Sequence, residues 1–230
     1  MAPEHKVFLF ILACVVSLLL GFGLAREFQA QSPLEDEETG RMEILYFEGH
    51  DSLFKLRFAD RVDRQQWTLA TDNVTQGIFS LRISFPYEGG WFVTSGTFNP
   101  DWSSYGMFQA DITNPGVERL QFAVIIRDDE APRELPPALA AGTEMAAAHE
   151  ALRQLAREPH TFVYYRAEGM ESGQSTESFA VPTMAAAGVN PRSVRDLYFY
   201  MFPSELPQVV FLDNIRLEGG ADEVGGAAGF

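Results

Sequence analysis

Between Gly77 and Pro86 apolar Ile78, Leu81, Ile83 and Phe85 are interspersed with polar Ser80, Arg82 and Ser84, the period of a strand with one face buried. Comparable runs occupy Trp91 to Thr97, Tyr105 to Thr113, Arg119 to Arg127, His160 to Ala167, Gln174 to Val181, Val194 to Phe202 and Gln208 to Leu217. Turn signals such as Glu88-Gly89-Gly90 and Asn114-Pro115-Gly116 separate them. With an opening run at Glu43 to Glu48, this spacing predicts eight or nine short strands and an all-β sandwich or jelly roll. One segment has a different period. From Thr143 to Glu158 helix formers dominate, and Met145, Ala148, Leu152 and Leu155 share one face. Glu144 in the first turn and Arg157 in the last suit the helix dipole, and Pro159 stops the helix. Residues 132–137, bounded by prolines, read as extended, so about 132–159 form an insertion between two strands. Its helix is expected to cap one edge of the sandwich, or else to lie as a lid over a ligand site.

The N-terminus is patterned for a membrane rather than for a core. Val7 to Ala25 runs 19 residues without a charge, between Lys6 and Arg26. That length just spans a bilayer and exceeds the usual signal-peptide core of about 7 to 15 residues. An uncleaved anchor and a cleaved signal peptide both fit, the second supported by the small residues Gly23 and Ala25. Ile11-Leu12-Ala13-Cys14 offers a third reading, as a lipidation box. In every case the rest of the chain is expected outside the cytoplasm. Residues 27–42, with the acidic run Glu35 to Glu38, read as an extended linker. Residues 43–218 then form one domain of a size able to bury a real core, and the Gly- and Ala-rich residues 219–230 read as a tail.

Charge narrows the partners. The chain carries a formal net charge of −15, nearly all of it after residue 26, and has no Lys/Arg cluster. Nucleic acid is therefore not an expected partner, because a polyanion is repelled and no phosphate contacts are offered. The only cysteine is Cys14, so no disulfide can staple the domain. No metal-spaced His/Cys set, nucleophile elbow or phosphate-binding glycine loop is present. Paired carboxylates remain conceivable for a glycosidase, but sequence order says nothing about the roughly 5 to 10 Å separation that such chemistry needs. A catalytic role is the weakest of the readings.

A set of short strings in fixed order says more. Phe47-Glu48 is followed by Val74 to Ile83, Asp101-Trp102-Ser103-Ser104-Tyr105, Asp111-Ile112-Thr113-Asn114-Pro115, Ile125-Ile126-Arg127-Asp128 and Phe211 to Leu217. From Ile44 to Leu217 this order resembles the galactose-binding-domain-like jelly rolls that serve as carbohydrate-binding modules. The inserted helix departs from that pattern and puts in question whether the usual face stays open. The resemblance implies a structural calcium held where the first and last strands meet, by Glu48 and Asp213. It also implies a polysaccharide or glycan ligand, for which exposed aromatic rings are wanted as stacking platforms. Tyr87 and Trp91, flanking the Glu88-Gly89-Gly90 turn, and Trp67 are the candidates, with Trp102 read as a packing residue. The alternative is a jelly roll without a sugar ligand that binds a protein partner in an envelope complex.

Overall fold

The computed structural model describes residues 35–36, 40–49, 53, 55–58, 67–140, 143–166 and 168–220. The leader at 1–26, most of the linker and residues 221–230 lie outside them. Among the described residues no helix is long and apolar enough to cross a membrane.

Among the described residues twelve strands make two antiparallel sheets. The first sheet contains β1 (Glu35–Asp36), β2 (Arg41–Leu45), β4 (Trp67–Ala70), β5 (Ser80–Phe85), β7 (Tyr105–Asn114), β10 (Gly173–Ala180) and β12 (Gln208–Gly220). The second runs β3 (Leu56–Phe58), β6 (Gly90–Ser95), β11 (Val194–Met201), β8 (Phe122–Asp128), β9 (Thr161–Tyr165). The described residues also form two α-helices, α1 (Met145–Leu155) and α2 (Val181–Ala186). Strand β12 organises the larger sheet. Its first half pairs with β5 and its second half with β2, while β7 runs along the opposite side. The first and last long strands of the domain are thereby neighbours. Two boundaries differ from the sequence reading: Glu35–Asp36 pairs with Arg41 and Met42 inside the expected linker, and Gly219–Gly220 extends β12 into the expected tail.

The expected alternation holds from Leu81 to Phe85, with Leu81, Ile83 and Phe85 buried between the sheets and Arg82 and Ser84 half-buried on the other side, whereas Ser80 is buried and Ile78 is exposed in the loop before the strand. Trp102 is fully buried, its indole N–H donating to Asn99 O at 3.1 Å. Strand β8 does not alternate, because all seven of its residues are buried. Phe122, Val124 and Ile126 face the inter-sheet core, whereas Ala123 and Ile125 belong to a second apolar cluster on the outer face. That second cluster contains Ala148, Ala151, Leu152 and Leu155 of α1, with Leu139 from the turn before it and Tyr198, Tyr200 and Phe202 from β11 and its end. Continuous apolar runs in strands indicate cover on both faces, and here the cover is the insertion. The helix therefore lies on a face of the five-stranded sheet, not along an edge.

Candidate functional site

Glu48 and Asp213, 165 positions apart in the sequence, converge on one short loop, residues 71–79, between β4 and β5. Asp213 Oδ2 accepts the backbone N–H of Thr75 (2.7 Å), the Thr75 hydroxyl (3.0 Å) and the N–H of Gln76 (2.9 Å), while Oδ1 accepts the N–H of Asn214 (2.8 Å). Glu48 Oε1 accepts the N–H of Ile78 (2.6 Å). Between the two lies Gly77 at φ +76°, where a Cβ would sit 1.7 Å from Glu48 Oε1. A bulge in β12 arranges this. Asn214 adopts φ 50° and the pairing with both β2 and β7 slips around it, so Ile215 and Leu217 return to the core while Asp213 and Asn214 both serve the polar side. The network continues across the strands: Asn214 Nδ2 donates to Asp111 Oδ2 (2.8 Å), the Thr75 hydroxyl lies at the same distance from that oxygen, and Thr176 donates to Asp111 Oδ1 at 2.7 Å. Burial pushes the Asp111 carboxyl up, but these three hydrogen bonds and the nearby Arg216 guanidinium outweigh it and leave the group below its ordinary value of 3.8.

Calcium was the expected occupant of this corner. A calcium ion takes six to eight oxygen ligands, but Asp213 Oδ2 already accepts the backbone N–H groups of Thr75 and Gln76, and the Thr75 hydroxyl lies between it and Asp111 Oδ2. Among the described residues no three His, Cys, Asp or Glu side chains group to hold a metal. As arranged, the donor set does not fit the ion. It forms a hydrogen-bonded clasp that ties the last strand to the 71–79 loop.

The three candidate aromatic platforms do not share a surface. Trp67 lies on β4, paired with core residue Ile83, and packs half-buried against the inter-sheet core. Trp91 lies on β6 on the outer side of the other sheet, edge-on to Tyr198 with ring centroids 5.6 Å apart. Tyr87 is 58% exposed in the turn between β5 and β6.

A different set of residues forms an open groove of about 450 Å³, lined by Arg119, Tyr164, Tyr165, Arg166, Glu168 and Glu171 together with Gly169. It sits where β9 ends and the chain turns back beside Leu120, joined by a reciprocal bridge between Leu120 and Met170 at 2.8 Å. Gly169 makes the turn, at φ +71° with Arg119 Cβ 3.0 Å from where its own Cβ would be. Arg119 pairs with Glu171 at 2.7 Å and donates to Glu168 O at 3.2 Å. On the other wall the Tyr164 hydroxyl donates to Glu177 Oε2 (2.6 Å), and Arg166 forms an ion pair with the same buried carboxylate. Burial, then the bond to Glu177 and its charge, pushes the Tyr164 phenol up to about 12, so it stays a neutral donor. Half-buried rings beside paired guanidinium donors and carboxylate acceptors can stack on a pyranose face and hold its hydroxyls. The sequence reading took His160 to Ala167 as a strand but did not single out these tyrosines. Adjacent Tyr164 and Tyr165 at the end of an edge strand were the available signal, and only the packing of Arg119 and Glu171 beside them turns it into a groove.

No protein-family profile matches the chain, and no curated protein is significantly similar to it. Solved structures are similar in fold. The family 11 carbohydrate-binding module from Clostridium thermocellum, in complex with a β-1,3-1,4-mixed-linked tetrasaccharide, superposes with a TM-score of 0.50 at 12% identity, covering 79% of this chain and 97% of that one. An exo-β-agarase superposes with a TM-score of 0.51 at 10% identity, covering 79% of this chain and 26% of that one. The sandwich shares its jelly-roll fold with these structures, as the ordered strings implied.

Proposed function

We propose that this chain is a non-catalytic carbohydrate-binding module that holds a glycan or envelope polymer outside the cytoplasm, with the Tyr164–Glu171 groove as its binding site. The observation that carries the reading is the groove itself, the place on the jelly roll where half-buried tyrosines lie open beside paired Arg and Glu side chains. Fold supports the class of function only by analogy; the groove supplies the chemistry. The extracytoplasmic placement rests on the uncharged run Val7 to Ala25.

The test is titration calorimetry of the full chain against neutral oligosaccharides, beginning with a β-1,3-1,4-linked glucan tetrasaccharide and an agaro-oligosaccharide. Arg119→Ala together with Glu171→Ala is expected to weaken binding at least tenfold with the fold intact. Wild-type protein that binds no glycan on a broad array would overturn the proposal, as would binding indifferent to these substitutions. Protease shaving of intact cells tests the location: the domain is cut from outside if the leader exports it and survives if it does not.

A further inference from the structure

Where the insertion leaves and re-enters the five-stranded sheet, two buried polar side chains stand opposite each other. Arg127 of β8 and Thr161 of β9 are register partners, which places their Cβ atoms about 5 Å apart on the same side of the sheet. Both residues are 0% exposed. The Arg127 Nε–H and the Thr161 hydroxyl each lack a hydrogen-bond partner, although buried polar groups are nearly always paired. The start of the insertion closes over them, and the Arg127 guanidinium donates from Nη1 to Glu134 O at 3.1 Å.

Charge is unmatched at the same place. Among the described residues no carboxylate lies within ion-pair distance of Arg127. Asp196, its register partner on β11, is engaged elsewhere, its Oδ2 paired with the Arg195 guanidinium at 2.7 Å and its Oδ1 accepting the Ser95 hydroxyl at 2.6 Å. Asp128, next along β8, accepts the amides of Glu130 and Asn190 and faces His160. The Tyr198 phenol beside the guanidinium is pushed up by burial and by the charge of Asp196, so it stays neutral and supplies no counter-charge. One positive charge is thus left over in a closed site. A guanidinium taken out of water in this way is costly. A bridging water would satisfy the two free donors but would leave the charge unanswered.

We infer that Arg127 and Thr161 form a buried binding site for a small monovalent anion, chloride, which accepts from the Arg127 Nε–H and the Thr161 hydroxyl and balances the guanidinium. The stoichiometry of charge selects the class. A phosphate or sulfate would bring a second negative charge that nothing here matches, and chloride is more easily stripped of water than fluoride. Because Arg127 also holds the Glu134 carbonyl, the bound ion fixes the arginine that ties the beginning of the insertion to the sheet.

Thermal unfolding of the full chain tests the site, at constant ionic strength with sodium chloride exchanged for sodium methanesulfonate. An anion bound only by the folded state raises stability with the logarithm of its concentration above the dissociation constant, so chloride at about 100 times that constant is expected to raise the melting temperature by several degrees. Thr161→Val, nearly the same shape without the hydroxyl, is expected to weaken chloride binding at least tenfold and to shift the onset of the rise to correspondingly higher chloride. Arg127→Leu is expected to abolish the chloride dependence, and if that variant does not fold, Thr161→Val decides alone. In crystals of the wild-type chain grown with bromide, an anomalous peak is expected between Arg127 Nε and Thr161 Oγ. A melting temperature indifferent to halide overturns the site, as does a halide response that both variants retain in full, which would trace it to exposed cations such as Arg119. Density for a water without anomalous signal at that position makes the pair a hydrated strut and equally sinks the inference.

Discussion

The two outer faces of the sandwich meet the same requirement in opposite ways. Each sheet turns one side to the shared core and has to do something with the other. The seven-stranded sheet carries Asp111, Asp213, Asn214 and Arg216 there and covers the carboxylates with a short loop that supplies directed hydrogen bonds. The five-stranded sheet carries Trp91, Ile125, Tyr198 and Tyr200 and covers them with a long insertion that supplies apolar contact. The contrast separates a fastening from a cover. Hydrogen bonds to buried carboxylates hold one geometry and leave costly orphans if broken, whereas side-chain packing from a helix can be withdrawn as a body without disturbing the strands beneath it.

The sharpest way to break this comparison is to remove the fastening. Asp213→Ala deprives the amides of Thr75, Gln76 and Asn214 of their acceptor at once. It is expected to cost about 3 kcal/mol in urea unfolding, roughly what stranding several partly buried donors implies. Because the clasp is built from N–H donors rather than a cation, the wild-type melting temperature is expected to be the same with added calcium and with chelator. A chelator-sensitive transition would return the metal to this corner.

The cover makes a second, smaller demand. Leu152, 3% exposed in the outer cluster, anchors α1 to the sheet. Leu152→Ala removes buried apolar volume and is expected to lower the opening free energy of the α1 amides by about 2 kcal/mol. The amides of β8 and β11 should keep most of their protection, since local units open separately from the whole. Equal loss in strands and helix would mean that helix and sheet unfold together, and the distinction between fastening and cover would fail.

How these faces were foreshadowed in the sequence also differs. The strand runs were legible because alternation is local. Phe122 to Ile126 was grouped with the half-buried runs, although its unbroken apolarity marks a strand that is covered on both faces. What covers it could not be read from that run, so the helix was expected at an edge. Short β3 and β4 escaped notice because three or four residues hold too little period, and Trp67 was therefore read as a platform rather than as the inward residue of an edge strand. The meeting of Glu48 and Asp213 followed from the ordered strings, but the bulge at Asn214 did not, because a non-glycine residue at positive φ leaves no compositional mark. The groove was illegible for a further reason. Arg119 and Glu171 come from opposite sides of a chain reversal, and their pairing exists only after folding.

Within the fastening, Gly77 supplies a gentler probe. Gly77→Ala forces a side chain into a left-handed backbone at φ +76° and against Glu48 Oε1. The carboxylate can swing aside, so the expected cost is the backbone strain plus the weakened bond to Ile78 N–H, about 1 to 2 kcal/mol. Glu48→Ala in the same background should recover the part due to the clash and none of the strain. A double-mutant cycle with no coupling would show that the loop does not need this contact.

The smallest effect expected is a pH dependence confined to the cover. His149 sits on α1 with its ring 4.5 Å from that of Phe202 and its Nδ1 2.7 Å from the Tyr165 hydroxyl. Burial first, and the charge of Arg153 on the same helix second, hold its pKa below the ordinary 6.5. The docked helix therefore favours the neutral ring, which can accept the Tyr165 proton. A depressed histidine contributes stability that is fully present above its undocked value and is lost as pH falls through 6.5 toward the lower docked value. Exchange protection of residues 145–155, corrected for intrinsic rates, is accordingly expected to be slightly weaker at pH 5.5 than at pH 7.5, with β11 unaffected. His149→Asn, which keeps an acceptor but cannot titrate here, should abolish the difference. A pH response that persists in that variant, or that extends to β11, would place its origin in the carboxylates of the opposite face, where Asp111 loses its contribution only on strong acidification.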